Sequence, residues 1–587
     1  MESIGISDDP NVSDEEVATN LFLKNIRWDQ KEKRYFVKWP WKESINNLAS
    51  NKGLAYGRLE SNLRKLQMNK DALAAYAKNF DDMLALNIIE DVPPVPDGPN
   101  IYYMPHHAVV NLNKTPVKSR NVFDASSKLG RLCKSLNDVL YPGPTLLPQL
   151  VGVLLRFRSA KIAIISDVER AFHQIALEKS ERDAVRFLWL YDPHLPPKGA
   201  NVRELRFARV PFGVVSAPFI LLATIKYHLK TKSDSLSKEL SENIYADNVF
   251  MSANNEADAL KKAQSAKDVF SEANMNLREF FSNDDAVFTR FGDRPLNYET
   301  KFLGIKWDTK KDILSIVFPP HIKELPTKRV VLKYIAKLFD PLGWVSPCLV
   351  WPKLLLQSYW KKGYSWDQEP DAWEGADWME FLEEFPGRVI ELFRWVSVNG
   401  RLELHAFCDA SNLAYSCCIY LRRIDASCAK SSLIFAKSRI RPLKSMTIPR
   451  LELMAVLLGV RALLSVKEFL KTKIEKSYIW SDSKCVLFWI HKETKVLQRF
   501  VENRLREIRR QDMSYRFVPT SLNPADIGSR GSTPDLLNTS DLWWHGPPFL
   551  EKEEVNWPEN KVPDNLNFND EEMRIGRSWK GPIQSLL

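Results

Sequence analysis

The sequence predicts an α+β chain in three successive parts: strands alternating with helices to about residue 305, a helical stretch, then an α/β domain with a mixed sheet. Three observations predict it. The apolar run Lys161-Ile-Ala-Ile-Ile-Ser-Asp167 reads as a buried strand, and Tyr245-Ala-Asp-Asn248 sits at the tip of a hairpin pattern, its Asp247 eighty residues after Asp167. Between Lys328 and Trp395 the pattern is helical and dense in tryptophan. From Arg401 the texture becomes βββαβα.

At 587 residues the chain exceeds one hydrophobic core, and about three or four domains are expected. A net charge of +10 is a mild bias toward a polyanionic partner. The seven cysteines are odd in number and form no C-x-x-C pair, which argues against a zinc ribbon and a secreted disulfide framework. The N-terminus is acidic and polar, unlike a signal peptide. No apolar run approaches the roughly 20 residues that span a bilayer. The expectation is an intracellular protein, cytoplasmic and particle-associated, with nuclear entry left open, neither secreted nor in a membrane.

In chain order, residues 1–25 are acidic and Ser/Asn-rich and read as a disordered tail. Residues 26–95 read as an extension, with a short strand pair at Arg34-Tyr-Phe-Val-Lys-Trp39 and a helix over 71–86. Pro93, Pro94, Pro96 and Gly98 end it, and strands and helices alternate over 96–305. Residues 306–400 hold the helical stretch of 328–395; its tryptophans suit base stacking, but a helix-packing core is the plainer account. In 401–532 the strands fall at 402–407, 415–421, 432–437 and 479–481, with helices over 448–470, 484–491 and 496–510. The last helix sets five arginines against two glutamates within 498–510, a pattern that suits a phosphate backbone but better a solvated face. Residues 533–587 are a Pro- and Trp-rich tail expected to wrap a surface.

Two-metal phosphoryl transfer needs carboxylates that fix two divalent cations about 3.5–4 Å apart, and such hard cations take oxygen ligands. A strand-terminal Asp167 and a hairpin-tip Asp247 supply carboxylates from rigid elements. Each alone is equally an ordinary strand-ending Asp or a polar turn. The companions decide: Arg120-Asn-Val-Phe-Asp-Ala-Ser-Ser-Lys128, Ser135-Leu-Asn-Asp-Val-Leu140, Gly143-Pro-Thr-Leu-Leu-Pro148, Gly152-Val-Leu-Leu-Arg-Phe-Arg158, Asp167-Val-Glu-Arg-Ala-Phe-His-Gln-Ile175 and Val210-Pro-Phe-Gly-Val-Val-Ser-Ala-Pro218. This series resembles the polymerase of BEL/Pao long-terminal-repeat retrotransposons, in order over most of residues 30–350.

The resemblance implies a right-hand polymerase of fingers, palm and thumb, with 26–95 leading into the fingers, 96–305 as fingers and palm, and 306–400 as thumb and connection. It implies Asp167 and Asp247 as catalytic metal ligands, joined by the carbonyl of Val168. Lys118 and Arg120 would grip the incoming triphosphate, and Phe172 would act as the steric gate against a 2′-hydroxyl. Phe212 and Gly213 would support template and nucleotide, with Tyr245 and Asn248 beside the substrate. The chain departs from the family at Asn248, where a second Asp is usual. An amide keeps the shape but removes one negative charge beside the metals.

The C-terminal texture carries Asp409, Glu452, Asp482 and Asp526 in strand–helix–strand–helix order, the arrangement of ribonuclease H, and these motifs also resemble BEL/Pao elements. The resemblance implies all four as catalytic metal ligands that cut the RNA of an RNA–DNA hybrid, its 2′-hydroxyl marking the RNA strand. Individually, Glu452 is explained as well by a helix dipole, and Asp526 by a turn or cap.

Residues 328–378 resemble a stretch labelled "Pao retrotransposon peptidase", yet no Asp-Thr-Gly or Asp-Ser-Gly triplet occurs and no aspartic protease site is expected. The His and Cys pairs of an integrase zinc module are also missing from the sequence, which reads as a middle slice of a polyprotein. The functional expectation is an RNA-directed DNA polymerase with linked ribonuclease H, using two Mg²⁺ per site, with Mn²⁺ as the substitute. Its partners would be RNA template, DNA primer, dNTPs and RNA–DNA hybrid. The alternatives are ribonuclease H alone, or an inactive nucleic-acid-binding relic, both because of Asn248. Oligomeric state is not legible.

Overall fold

The computed structural model describes residues 13–42, 48–112, 116–291, 298–320, 324–371, 383–425, 428–444, 446–492 and 497–560, with Gly375, Trp378 and Phe381 between them. Trp373 and Val496 of the expected helices, and the tail after residue 560, lie outside the described residues. Two compact units emerge. One comprises Met1–Pro148, Ile164–Met251 and Glu256–Pro295; the other Gln149–Ala163, Ser252–Asn255 and Leu296–Leu587. No described helix is long and apolar enough to cross a membrane.

In the first unit the expected strand pair is Arg27–Asp29 with Arg34–Val37, and the expected helix is Lys70–Ala85, capped by Asn69. Its Leu73, Tyr76 and Phe80, three and four apart, are buried. Phe80 stacks on Trp189 at 4.3 Å between ring centres. Beneath this core Asp183, wholly buried, receives Arg186 at 2.8 Å and Arg206 at 3.0 Å, so its charge is paired rather than stranded. A four-stranded sheet runs in the order Ile244–Tyr245, Asn248–Ala253, Ile162–Val168, Leu277–Ser282.

The expectation of a disordered tail over 1–25 is corrected for its described part, where Asp14–Asn25 is helical; residues 1–12 lie outside the described residues. Ser13 caps it, three acids in the first turn and Lys24 in the last suit its dipole, and Ala18 and Phe22 are buried on one face. Phe22 meets Phe219 edge-on at 5.6 Å.

The second unit is built on a five-stranded sheet ordered Ala429–Ile440, Ala414–Ile424, Arg401–Ala410, Lys476–Ser481, Ser514–Phe517. The first three strands pair antiparallel and the last two join in parallel, so the sheet is mixed as expected. The helix Ile448–Leu470 covers one face, and a Cβ at Gly459 would stand 2.3 Å from Cys408 Sγ, so only glycine permits this approach. Arg499–Arg509 packs Val501, Leu505 and Ile508 inward and leaves Arg499 and Arg506 exposed, so the expected solvated face holds for these two. Arg504 and Arg509 are partly buried, Arg504 on the Phe500 carbonyl at 2.9 Å and Arg509 on the Ile490 carbonyl at 3.1 Å.

Two expected boundaries move. Residues 306–400 are not a separate helical stretch: Ile305–Asp308, Ile313–Val317 and Val389–Phe393 form a sheet with Glu299–Phe302. The same stretch packs directly on the five-stranded sheet, with Ala436 N–H on the Leu342 carbonyl at 2.8 Å and Gln357 on the Arg441 carbonyl at 2.7 Å. Segment 149–163 belongs to this unit, because wholly buried Arg394 donates to the carbonyls of Phe157 and Ala160 at 2.6 and 2.7 Å. Of the tryptophans there, Trp344 and Trp378 are core, while Trp351 and Trp360 are each 53% exposed.

The tail does wrap a surface, as far as it is described. Arg422 donates to the Leu550 carbonyl at 2.6 Å and the Lys552 carbonyl at 2.7 Å, and Tyr420 to the Trp543 carbonyl at 2.7 Å. Burial would push Glu403 up, but His405 and Arg422 hold it down at about 2, a buried ion pair beneath this strap.

Candidate active sites

Asp167 is the penultimate residue of the strand Ile162–Val168, half-buried, directly across from Arg278 of Leu277–Ser282. The neighbouring hairpin pairs Tyr245 with Asn248, leaving Ala246 and Asp247 as its two-residue loop. Ala246 sits at φ 57°, a left-handed backbone that costs a non-glycine residue on the order of 1 kcal/mol. Val168 N–H donates to the Asp247 carbonyl at 2.9 Å, fastening the loop to the Asp167 strand. Burial, then the Asp247 charge, push Asp167 up to about 6, with Arg278 pulling the other way. Asn248 donates its amide to Asp247 Oδ1 at 3.0 Å.

The expected substrate residues lie in the same unit as this pair. Lys118 and Arg120 alternate onto the exposed face of Lys118–Phe123, as a period of two demands. Phe172 follows Arg170, which takes φ 49°, and its ring lies 4.4 Å from that of Phe212, itself 50% exposed. Gly213 takes φ 93°, and a Cβ there would stand 2.4 Å from the Phe123 carbonyl oxygen. Asn137 donates to the Gly213 carbonyl at 3.1 Å and accepts from Val215 N–H at 2.8 Å, so it holds this loop. Asn137 lies in the Ser135–Leu140 motif, but nothing local in the sequence marks it as a loop anchor. Nor does any local pattern mark Arg278, whose signal is its register opposite Asp167.

The second cluster gathers at one end of the five-stranded sheet. Asp409 lies near the end of Arg401–Ala410 and Asp482 directly after Lys476–Ser481, on neighbouring parallel strands. Glu452 is the fifth residue of Ile448–Leu470, past the first turn, so the helix dipole explains little of its placement. Asp526 opens the short helix Ala525–Arg530.

Each acid is held. Ser529 donates to Asp409 and Ser483 to Glu452. Thr520 donates to Asp482 at 2.7 Å, and Arg530 to Asp526 at 2.6 Å. Asn523 ties Asp482 at 3.4 Å to the Cys408 carbonyl at 3.1 Å. Burial first, then Asp482 and Asp526, push Asp409 up to about 6 against the pull of Ser529. Burial, then Asp482 and Asp409, push Glu452 up to about 7. Mutually repelling, oxygen-only donors at a sheet end suit a hard divalent cation. Among the described residues, however, no three Asp, Glu, His or Cys side chains stand close enough to form a ready-made cage.

Residues 327–483 match the family model described as the Pao retrotransposon-like RNaseH-like domain. That span joins the Trp-rich stretch to the five-stranded sheet, and its description is RNaseH-like rather than peptidase. No curated protein matches the sequence. Among solved structures, the foamy viral protease-reverse transcriptase in complex with dsDNA aligns at TM-score 0.50 and 13% identity, over 77% of this chain and 84% of that one. A second foamy viral protease-reverse transcriptase structure, titled dRH and in complex with dsDNA, aligns at the same TM-score and identity over 77% of this chain and 70% of that one. The fold is therefore that of a retroviral reverse transcriptase with an RNase H-like domain toward the C-terminus.

Proposed function

We propose, from the premise that this chain is a BEL/Pao-type retroelement Pol polypeptide, that it is an RNA-directed DNA polymerase joined to a ribonuclease H. The observation that carries the reading is the pairing of two separate carboxylate clusters in one chain, each at a strand end: Asp167 beside the Asp247 loop, and Asp409 beside Asp482. In this reading the first unit provides fingers and palm. Asp167, Asp247 and the Val168 carbonyl hold Mg²⁺, or Mn²⁺ in its place, and so do Asp409, Glu452, Asp482 and Asp526. When bound, the ions supply Lewis acidity to the transferring phosphoryl group.

The chain's own residues do the remaining work. Lys118 and Arg120 grip the triphosphate as charge-assisted donors. Phe172, braced on Phe212, rejects a 2′-hydroxyl by bulk. Gly213, which passes close to the Phe123 carbonyl, shapes the loop that supports template and nucleotide. Ser483 and Ser529 aim Glu452 and Asp409 without cancelling their charge. The substrates are RNA template, DNA primer, dNTPs and RNA–DNA hybrid, handled inside the cell.

A second reading, nuclease alone, is favoured by one contact: the Asn248 amide occupies an Asp247 oxygen and brings no charge of its own. Primer extension on an RNA template separates the two. Extension above the level of Asp247→Asn is expected; extension equal to that variant leaves only the nuclease.

A further inference from the structure

Arg278 is placed by its strand register directly opposite Asp167, and residues opposed in an antiparallel pair share one face of the sheet. Its Nη1 lies 3.3 Å from Glu169 Oε1, and its Nε points at Asp167 Oδ2 from 3.6 Å. The first is a hydrogen bond; the second is too long for one but close enough for charge attraction. That Nε–H is buried and, among the described residues, donates no hydrogen bond. Glu169 is itself fixed, its Oε2 taking the Asn276 amide at 3.0 Å and its N–H bonding the Asn276 carbonyl at 2.9 Å. The arginine is therefore held at one end and aimed at the carboxylate with the other.

We propose that Arg278 is the resident counter-cation of the first site, a positioning residue that a divalent cation must displace from Asp167. This rests on the reading of Asp167 and Asp247 as a metal site. With Asn248 in place of a carboxylate, the loop brings less negative charge to oppose the arginine, so the balance tilts toward the internal ion pair. Arg278 thereby sets how much cation the site needs before it loads, a property of this chain's own residues and not of the metal.

The test is Mn²⁺ binding followed by the electron paramagnetic resonance of free Mn²⁺, on the full chain with the second site silenced by Asp409→Asn and Asp482→Asn. In that background Arg278→Met is expected to tighten binding about tenfold, and Arg278→Lys, which keeps the charge, to restore the weaker binding. Asp247→Asn reports whether the ion counted is at this site. Circular dichroism melting shows whether Arg278→Met is folded, and the lysine variant decides the matter if it is not, since equal affinity of lysine and wild type is expected. Binding that depends on Asp247 yet is unmoved or weakened by Arg278→Met overturns the counter-cation and leaves the metal site standing. Binding indifferent to Asp247→Asn removes the metal site, and the inference with it.

Discussion

The two carboxylate clusters differ less in the elements that carry them than in what touches the carboxylates. In the second cluster three of the four acids are held by neutral groups: Ser529 on Asp409, Ser483 on Glu452, Thr520 and Asn523 on Asp482. Among the described residues, Asp526 is the one of the four that pairs with a cation, Arg530. In the first cluster Asp167 faces Arg278 and Asp247 takes the Asn248 amide. A hydroxyl orients a carboxylate and leaves its charge available; an opposed guanidinium partly cancels it. The second site is aimed and still short of positive charge, whereas the first already carries part of its own compensation.

The largest expected effect lies in the second cluster. Glu452→Gln keeps the shape and the Ser483 contact but removes a charge, and should cost on the order of 10³-fold in hybrid cleavage. Gel-resolved cleavage within tenfold of wild type would break the comparison at its stronger end. Next is Asn248→Asp, which returns the missing charge to the first cluster. Primer extension should rise about tenfold, and hybrid cleavage should not change. No gain would mean that the amide is tolerated and that charge does not separate the two sites.

The carboxylates were legible because they sit at strand ends, where an apolar run stops at an acid. Asp167 and Asp409 are such positions. The strands themselves ran longer than their apolar cores: 402–407 became Arg401–Ala410 and 415–421 became Ala414–Ile424. Glu403 and Arg422 are buried together as an ion pair, which alternation of apolar residues does not reveal. The pairing of Ile313–Val317 with Val389–Phe393 spans some seventy residues, beyond any local period. The Asp14–Asn25 helix did carry its signals, Ser13 and the acids after it, but its low hydrophobicity read as disorder. Arg278 and Asn137 were missed because their roles come from register and loop contacts.

The pH dependence of folding sharpens the comparison further. Glu452 rises from an ordinary glutamate value to about 7 in the folded protein, so the folded state holds its proton more tightly than the unfolded chain does. Its contribution is full below about pH 4.5 and is lost as pH rises toward about 7, by up to roughly 3 kcal/mol. Metal-free protein should therefore lose stability across this window, with Asp409 adding to the loss below about pH 6. Glu452→Gln should flatten the curve in urea titrations at successive pH values. A slope unchanged by that variant would mean the acid is not repelled as its surroundings demand.

The smallest effect concerns the loop beside the first cluster. Asn137 makes one bond to the Gly213 carbonyl, accepts one from Val215 N–H, and donates to Ser126 at 2.8 Å. Asn137→Ala removes these at about 1 kcal/mol each at most, partly replaced by water because the side chain is only partly buried. Gly213 keeps its close approach to Phe123, so the loop should loosen rather than unfold. Phe212 would then brace Phe172 less firmly, and the apparent KM for dNTP should rise a few-fold, on the order of 3, with hybrid cleavage untouched. Measured in the Asn248→Asp background, a fall in both activities would show that Asn137 supports the fold as a whole. A rise in KM alone would show that the first region depends on loop contacts where the second depends on hydroxyls anchored to its sheet.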